Sequence, residues 1–135
     1  MQIVYDNSNS MVEILEKIEN FNIYNNGKKQ IINKTNSNFN VIKNNLMQIF
    51  CSAHLEPAFG VSLHELTLNE MQNDLWLELE FNQEQIKNGL NFNALLIKLE
   101  ETGGVNLIRK YNNKYEGRCF YLALEKITDL TSVIN

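Results

Sequence analysis

An α+β domain, with a mostly antiparallel sheet of four to five strands packed by about three helices, is the architecture this sequence predicts. Three observations carry it. Apolar residues recur at helical spacing in residues 11–21 and 39–50. They alternate with polar residues through 75–81. The segments are joined by short, turn-rich connections, which suit hairpins better than the long crossovers of a parallel sheet. The chain has 135 residues, one domain's worth (1–135), and a domain of that size buries roughly two-thirds of its unfolded surface. It needs neither disulfide nor metal to fold.

MVEILEKIENF, residues 11–21, sets Met11, Ile14, Leu15, Ile18 and Phe21 on one helical face. Ser10 and Glu13 form a capping box at its start. NIYNNGKK ends that helix with Asn and Gly. QIINK, 30–34, reads as a short strand, and TNSN, 35–38, as a turn or cap. Phe39, Ile42, Leu46, Ile49 and Phe50 then predict a second helix over 38–52. Phe59, Val61 and Leu63 alternate, which suggests a strand over 58–64. A short helix follows over 68–73, with Ser62–Glu65 and Thr67–Glu70 as capping-box candidates.

LWLELEF, 75–81, is the clearest strand. Leu75, Leu77, Leu79 and Phe81 face one way, and Trp76, Glu78 and Glu80 the other. NFNALLIKLEETGG, 91–104, reads as a third helix with a Phe92, Leu95, Leu96, Leu99 stripe, stopped by Gly103-Gly104. Two strands follow, 105–111 and 117–124, turning over Asn112, Asn113 and Lys114. The tail TDLTSVIN suggests one further helical turn.

No apolar run approaches the ~20 residues of a membrane span. The opening MQIVYDNSNS has no basic region before an apolar one, so it does not read as a secretory signal. The expectation is a cytoplasmic protein whose cysteines, Cys51 and Cys119, are thiols. Asparagine supplies 22 of the 135 residues, and lysine outnumbers arginine ten to two. That bias belongs to an AT-rich genome, a bacterium's or its phage's, and carries no functional meaning by itself.

Charge is uneven. Residues 1–50 carry net +1, 51–104 net −7 and 105–135 net +2, giving −4. A nucleic-acid binder shows a basic patch and a high pI, so this balance argues against one. It suits a protein partner with a basic surface, or simple solubility.

Both histidines lie in CSAHLEPAFGVSLHE, residues 51–65. Cys51-x-x-His54 has the spacing of a zinc-ligand pair, and His64 would add a third ligand. No second close pair follows, and His64-Glu65 lacks the second histidine of HExxH. The simpler reading makes this stretch a connection between a helix and a strand. No cofactor is expected. Cys119 adjoins Arg118, which would lower a thiol pKa, but strand neighbours point to opposite faces.

Glu78 and Glu80, about 7 Å apart by strand geometry, match the separation of an inverting glycosidase pair. A solvated strand face gives the same pattern. Trp76 shares that face. Exposed, it would anchor a basic partner beside two acids; covered by a helix, it would be core. The hairpin basics Arg109, Lys110, Lys114 and Arg118 alternate with Tyr111, Tyr115, Phe120 and Tyr121, a composition that can bind single strands by stacking. No RNP-like signature accompanies them.

No catalytic constellation stands above its packing explanation. The reading that results is a small, non-enzymatic protein-binding or regulatory module, of an antitoxin or immunity kind, with Trp76, Glu78 and Glu80 as the binding face. A small hydrolase using His54, His64 and Glu56 or Cys51, with or without a metal, is the alternative, and nucleic-acid binding through 105–124 a third. A free hairpin edge would also allow a homodimer.

Overall fold

The computed structural model describes residues 12–50, 64–87, 90–99 and 105–122. In chain order the elements are α1 (Val12–Leu15), β1 (Ile18–Asn25), β2 (Lys28–Asn33), α2 (Ser37–Phe50), α3 (His64–Glu70), β3 (Leu75–Lys87), β4 (Leu90–Lys98), β5 (Val105–Tyr111) and β6 (Lys114–Leu122). The strands form one six-stranded sheet, ordered β2-β1-β3-β4-β5-β6, with every neighbour antiparallel. The fold class is therefore α+β as expected, with six strands where four to five were expected.

The two strands that were not expected, β1 and β4, begin in or occupy segments with helical spacing. The helix expected over 11–21 shrinks to α1, and Ile18 onward is β1. A register shift between Ile18 and Asn20 inserts one extra residue opposite Phe81 and Glu80. This bulge turns Ile18 and Phe21, three apart in sequence, into the same core. The Asn26-Gly27 pair then makes the hairpin turn, with φ of 49° and 85°, the positive values a two-residue hairpin turn requires.

The helix expected over 91–104 is β4 instead. Leu95, Ile97 and Leu99 enter one core cluster and Leu96 the other. A strand buried on both faces reads as a continuous apolar run and loses its period-2 signature. Residues 100–104 lie outside the described residues.

α2 forms where expected. Asn36 caps it, its Oδ1 accepting from the Asn38 amide at 2.8 Å. Phe39, Ile42, Leu46 and Phe50 are its buried stripe, and Phe39 meets Phe21 with ring centroids 5.0 Å apart. α1 and α2 seal this face over Phe21, Ile23, Leu77, Leu79, Phe81 and Leu107.

The second face is covered differently. Met71, just past α3, joins Trp76, Leu96, Ile108 and Tyr115 in a smaller cluster. α3 spans His64–Glu70 rather than 68–73, and Thr67 is buried within it rather than capping it. His64 thus opens a helix rather than ending a strand. The rest of the expected 58–64 strand, Ser10, and the tail turn lie outside the described residues. The β5–β6 turn sits at Asn112-Asn113, both with positive φ, and β6 begins at Lys114, earlier than expected. No helix among the described residues is long and apolar enough to cross a membrane.

Candidate functional site

Strand alternation places Trp76, Glu78 and Glu80 on the second face, and pairing sets β1 residues beside them. Tyr24 stands opposite Trp76, Asn22 opposite Glu78, and Asn20 opposite Glu80. Each of these positions is polar or amphipathic, so one stripe across the sheet's middle departs from an apolar core.

Glu78 is the centre of that stripe, with only 2% of its surface exposed. A carboxylate so buried is costly unless hydrogen-bonded. Its Oε1 accepts from Asn22 Nδ2 at 2.8 Å and from the Tyr24 hydroxyl at 3.4 Å. Its Oε2 accepts from the Tyr115 hydroxyl at 2.5 Å. Burial, and then the negative charge of Glu78, hold both the Tyr24 and Tyr115 phenols well above the ordinary tyrosine range. Both therefore keep their protons and donate.

The network runs outward from there. Asn22 Nδ2 also donates to Glu80 Oε2 at 2.6 Å. Asn20 Nδ2 donates to Asn22 Oδ1 at 2.9 Å and to Glu80 Oε2 at 3.3 Å. Glu80 itself is exposed. The two carboxylates share one amide donor, so their nearest oxygens are no farther apart than the two Asn22 contacts combined. That falls short of the separation an inverting glycosidase needs, roughly 6.5–9.5 Å. Glu78 is also sealed from any substrate.

Trp76 is covered. Only 2% of it is exposed, its indole N–H donates to the Asn73 carbonyl at 2.8 Å, and it packs in the smaller core cluster. This corrects the expectation of Trp76 as a surface anchor. The reason is that Met71 and α3 roof this end of the face. The open part lies over β1 and β2, where Ile31 is 58% exposed and stands opposite Asn22. Sequence reasoning missed Asn20, Asn22, Tyr24 and Ile31. The signal was there: Asn20, Asn22 and Tyr24 alternate as a strand face would.

His64 has a definite structural task. Its Nδ1 accepts from the Tyr115 backbone amide at 3.0 Å, and the two rings stack 5.7 Å apart. Cys51, His54 and Glu56 lie outside the described residues, and so does the question of their convergence with His64. Among the described residues no cluster of three metal-ligating side chains occurs.

Arg109 and Lys110, neighbours on β5, point to opposite faces of the sheet. Arg109 stands opposite Leu95 and donates from Nη1 to the Asn91 carbonyl at 2.7 Å. Lys110 stands opposite Ala94, with its ammonium 5.2 Å from the Tyr115 ring centroid. Tyr115 is buried, which removes it as a base-stacking platform. The side chains of Arg118, Phe120 and Tyr121 lie outside the described residues, as does that of Cys119.

Chemically, the stripe offers no open pair of carboxylates, because Glu78 is sealed. It holds one exposed carboxylate in a fixed place. Comparison with known protein families, with curated proteins and with solved structures found no match to this chain.

Proposed function

We propose that the protein is a non-enzymatic binding or regulatory module that meets a basic protein partner on the open half of its second sheet face. Glu80 is the contact that carries the reading. Both hydrogen bonds to it land on Oε2, and Oε1 accepts none among the described residues. One oxygen is clamped and the other is presented. A carboxylate already held in place loses little further freedom on meeting an ammonium or guanidinium, which favours affinity.

In this reading Glu78 is the buried anchor that positions Asn22, and Asn22 positions Glu80. Trp76 is the buried neighbour that closes one end of their stripe. Ile31, exposed on the same face, supplies the apolar contact that charge pairing alone lacks. The acidic net charge of −4 adds long-range attraction for a cationic partner. An antitoxin or immunity-like role is the regulatory setting that a small acidic chain of this kind suits.

The test is comparative capture from an extract of the source cells, using wild-type protein, Glu80→Gln and Ile31→Asp. The expected result is a discrete basic partner that raised salt releases and that Glu80→Gln weakens by about tenfold or more. Equal retention by wild type and Glu80→Gln would overturn the proposal.

A further inference from the structure

α3 packs beside β6, and an open groove of about 590 Å³ there is lined by His64, Glu65, Leu66, Asn69 and Lys114. That volume is in the range of small-ligand sites, roughly 300–1,000 Å³. The groove belongs to α3 and the start of β6, apart from Glu80 and Ile31, so nothing below depends on the protein-partner reading.

The state of His64 follows from its bond to the sheet. A backbone N–H can only donate. Tyr115 N donates to His64 Nδ1, so Nδ1 carries a lone pair. The neutral ring must then hold its proton on Nε2, which makes Nε2 a donor. Stacking on Tyr115 holds the ring plane, and Tyr115 is itself tied to Glu78. The imidazole is thus oriented before any ligand arrives.

The other lining groups are chemically unspent. Among the described residues, neither Glu65 nor Lys114 forms an ion pair, with each other or with any other group. The Asn69 side-chain amide makes no hydrogen bond among them either. Leu66 is 51% exposed. One groove therefore gathers a cation, an anion, an imidazole held in one plane, an amide and an apolar wall. Opposite charges that line one groove without pairing are satisfied together by a ligand that carries both signs.

We propose that this groove binds a small zwitterion with an apolar body, an α-amino acid of the leucine type. The ligand carboxylate meets Lys114 and His64 Nε2–H, its ammonium meets Glu65, and its side chain lies on Leu66. An open groove of this kind holds such a ligand in the millimolar range, as its small size and incomplete burial dictate.

The experiment is an NMR titration of the full chain with L-leucine, isovalerate (the acid alone) and isoamylamine (the amine alone). Saturable shifts at the His64 imidazole and Lys114 are expected with leucine, and about tenfold weaker binding with either single-charge analogue. Lys114→Gln and Glu65→Gln should each weaken leucine binding; both positions are exposed, and their amide spectra verify the fold. Absence of a saturable shift overturns the proposal. So does isovalerate or isoamylamine binding as tightly as leucine, or leucine binding that neither variant changes.

Discussion

The Tyr115 hydroxyl lies 2.5 Å from Glu78 Oε2, joining β6 to β3 although two strands stand between them in the sheet. It is the donor that completes the shell of a buried carboxylate. Tyr115→Phe removes that donor and nothing of the ring. Leaving a buried acceptor short costs about 1–3 kcal/mol, and urea denaturation should show a loss of that size with the m-value unchanged. A loss within error would mean that Glu78 does not depend on this bond.

Asn22 bridges Glu78 and Glu80 with one amide nitrogen, whereas Asn20 reaches Asn22 and the exposed Glu80 but not Glu78. Asn22→Ala should therefore destabilise more than Asn20→Ala, by about 1 kcal/mol or more. Thermal melts of the two variants decide it. Equal losses would make the network no more than a surface cluster.

Alkaline pH probes the same centre. The folded phenols of Tyr24 and Tyr115 are raised, by burial first and then by Glu78. The unfolded phenols titrate at about 10. The folded state thus retains protons that the unfolded state releases, so this contribution is fully present below about pH 10 and is lost as pH climbs beyond it. Absorbance titration of the five tyrosines should show that Tyr24 and Tyr115 ionise only as the protein unfolds. Free ionisation of all five in the folded protein would contradict the buried network.

Trp76 offers the quickest check on the second core. Enclosed by Met71, Leu96, Ile108 and Tyr115, it should emit at short wavelength and resist quenching by iodide. A red-shifted, readily quenched emission would mean that α3 does not cover this face.

Gly27 tests the first hairpin. Its φ is +85°, and an added Cβ would come within 2.7 Å of Gln72 Oε1. The side-chain end of Gln72 can move, but the positive φ cannot be relieved without altering the turn. Gly27→Ala should lower stability by about 1 kcal/mol or more. A neutral result in chemical denaturation would place the turn in another conformation.

Much of this molecule could be read from residues alone. α2 was legible because Phe39, Ile42, Leu46 and Phe50 repeat at helical spacing behind an asparagine cap. β3 was legible because one of its faces is uniformly apolar. The Asn112-Asn113 turn was legible because positive φ selects for asparagine. The shared face of Trp76, Glu78 and Glu80 follows from alternation alone.

What only the tertiary structure decided is where a local period misleads. Ile18 and Phe21 are spaced as on a helix because a bulge restores them to one face of a strand. Leu95, Leu96 and Ile97 look continuous because both sides of β4 are covered. Trp76 became interior because Met71, Leu96, Ile108 and Tyr115 pack around it, Glu78 because Asn22, Tyr24 and Tyr115 close on its carboxylate, and Glu80 became the presented group because that cover stops short. Local spacing determines which residues can share a face. Whether the face is roofed depends on elements distant in sequence, and burial then turns one glutamate into an anchor and leaves its neighbour as a contact.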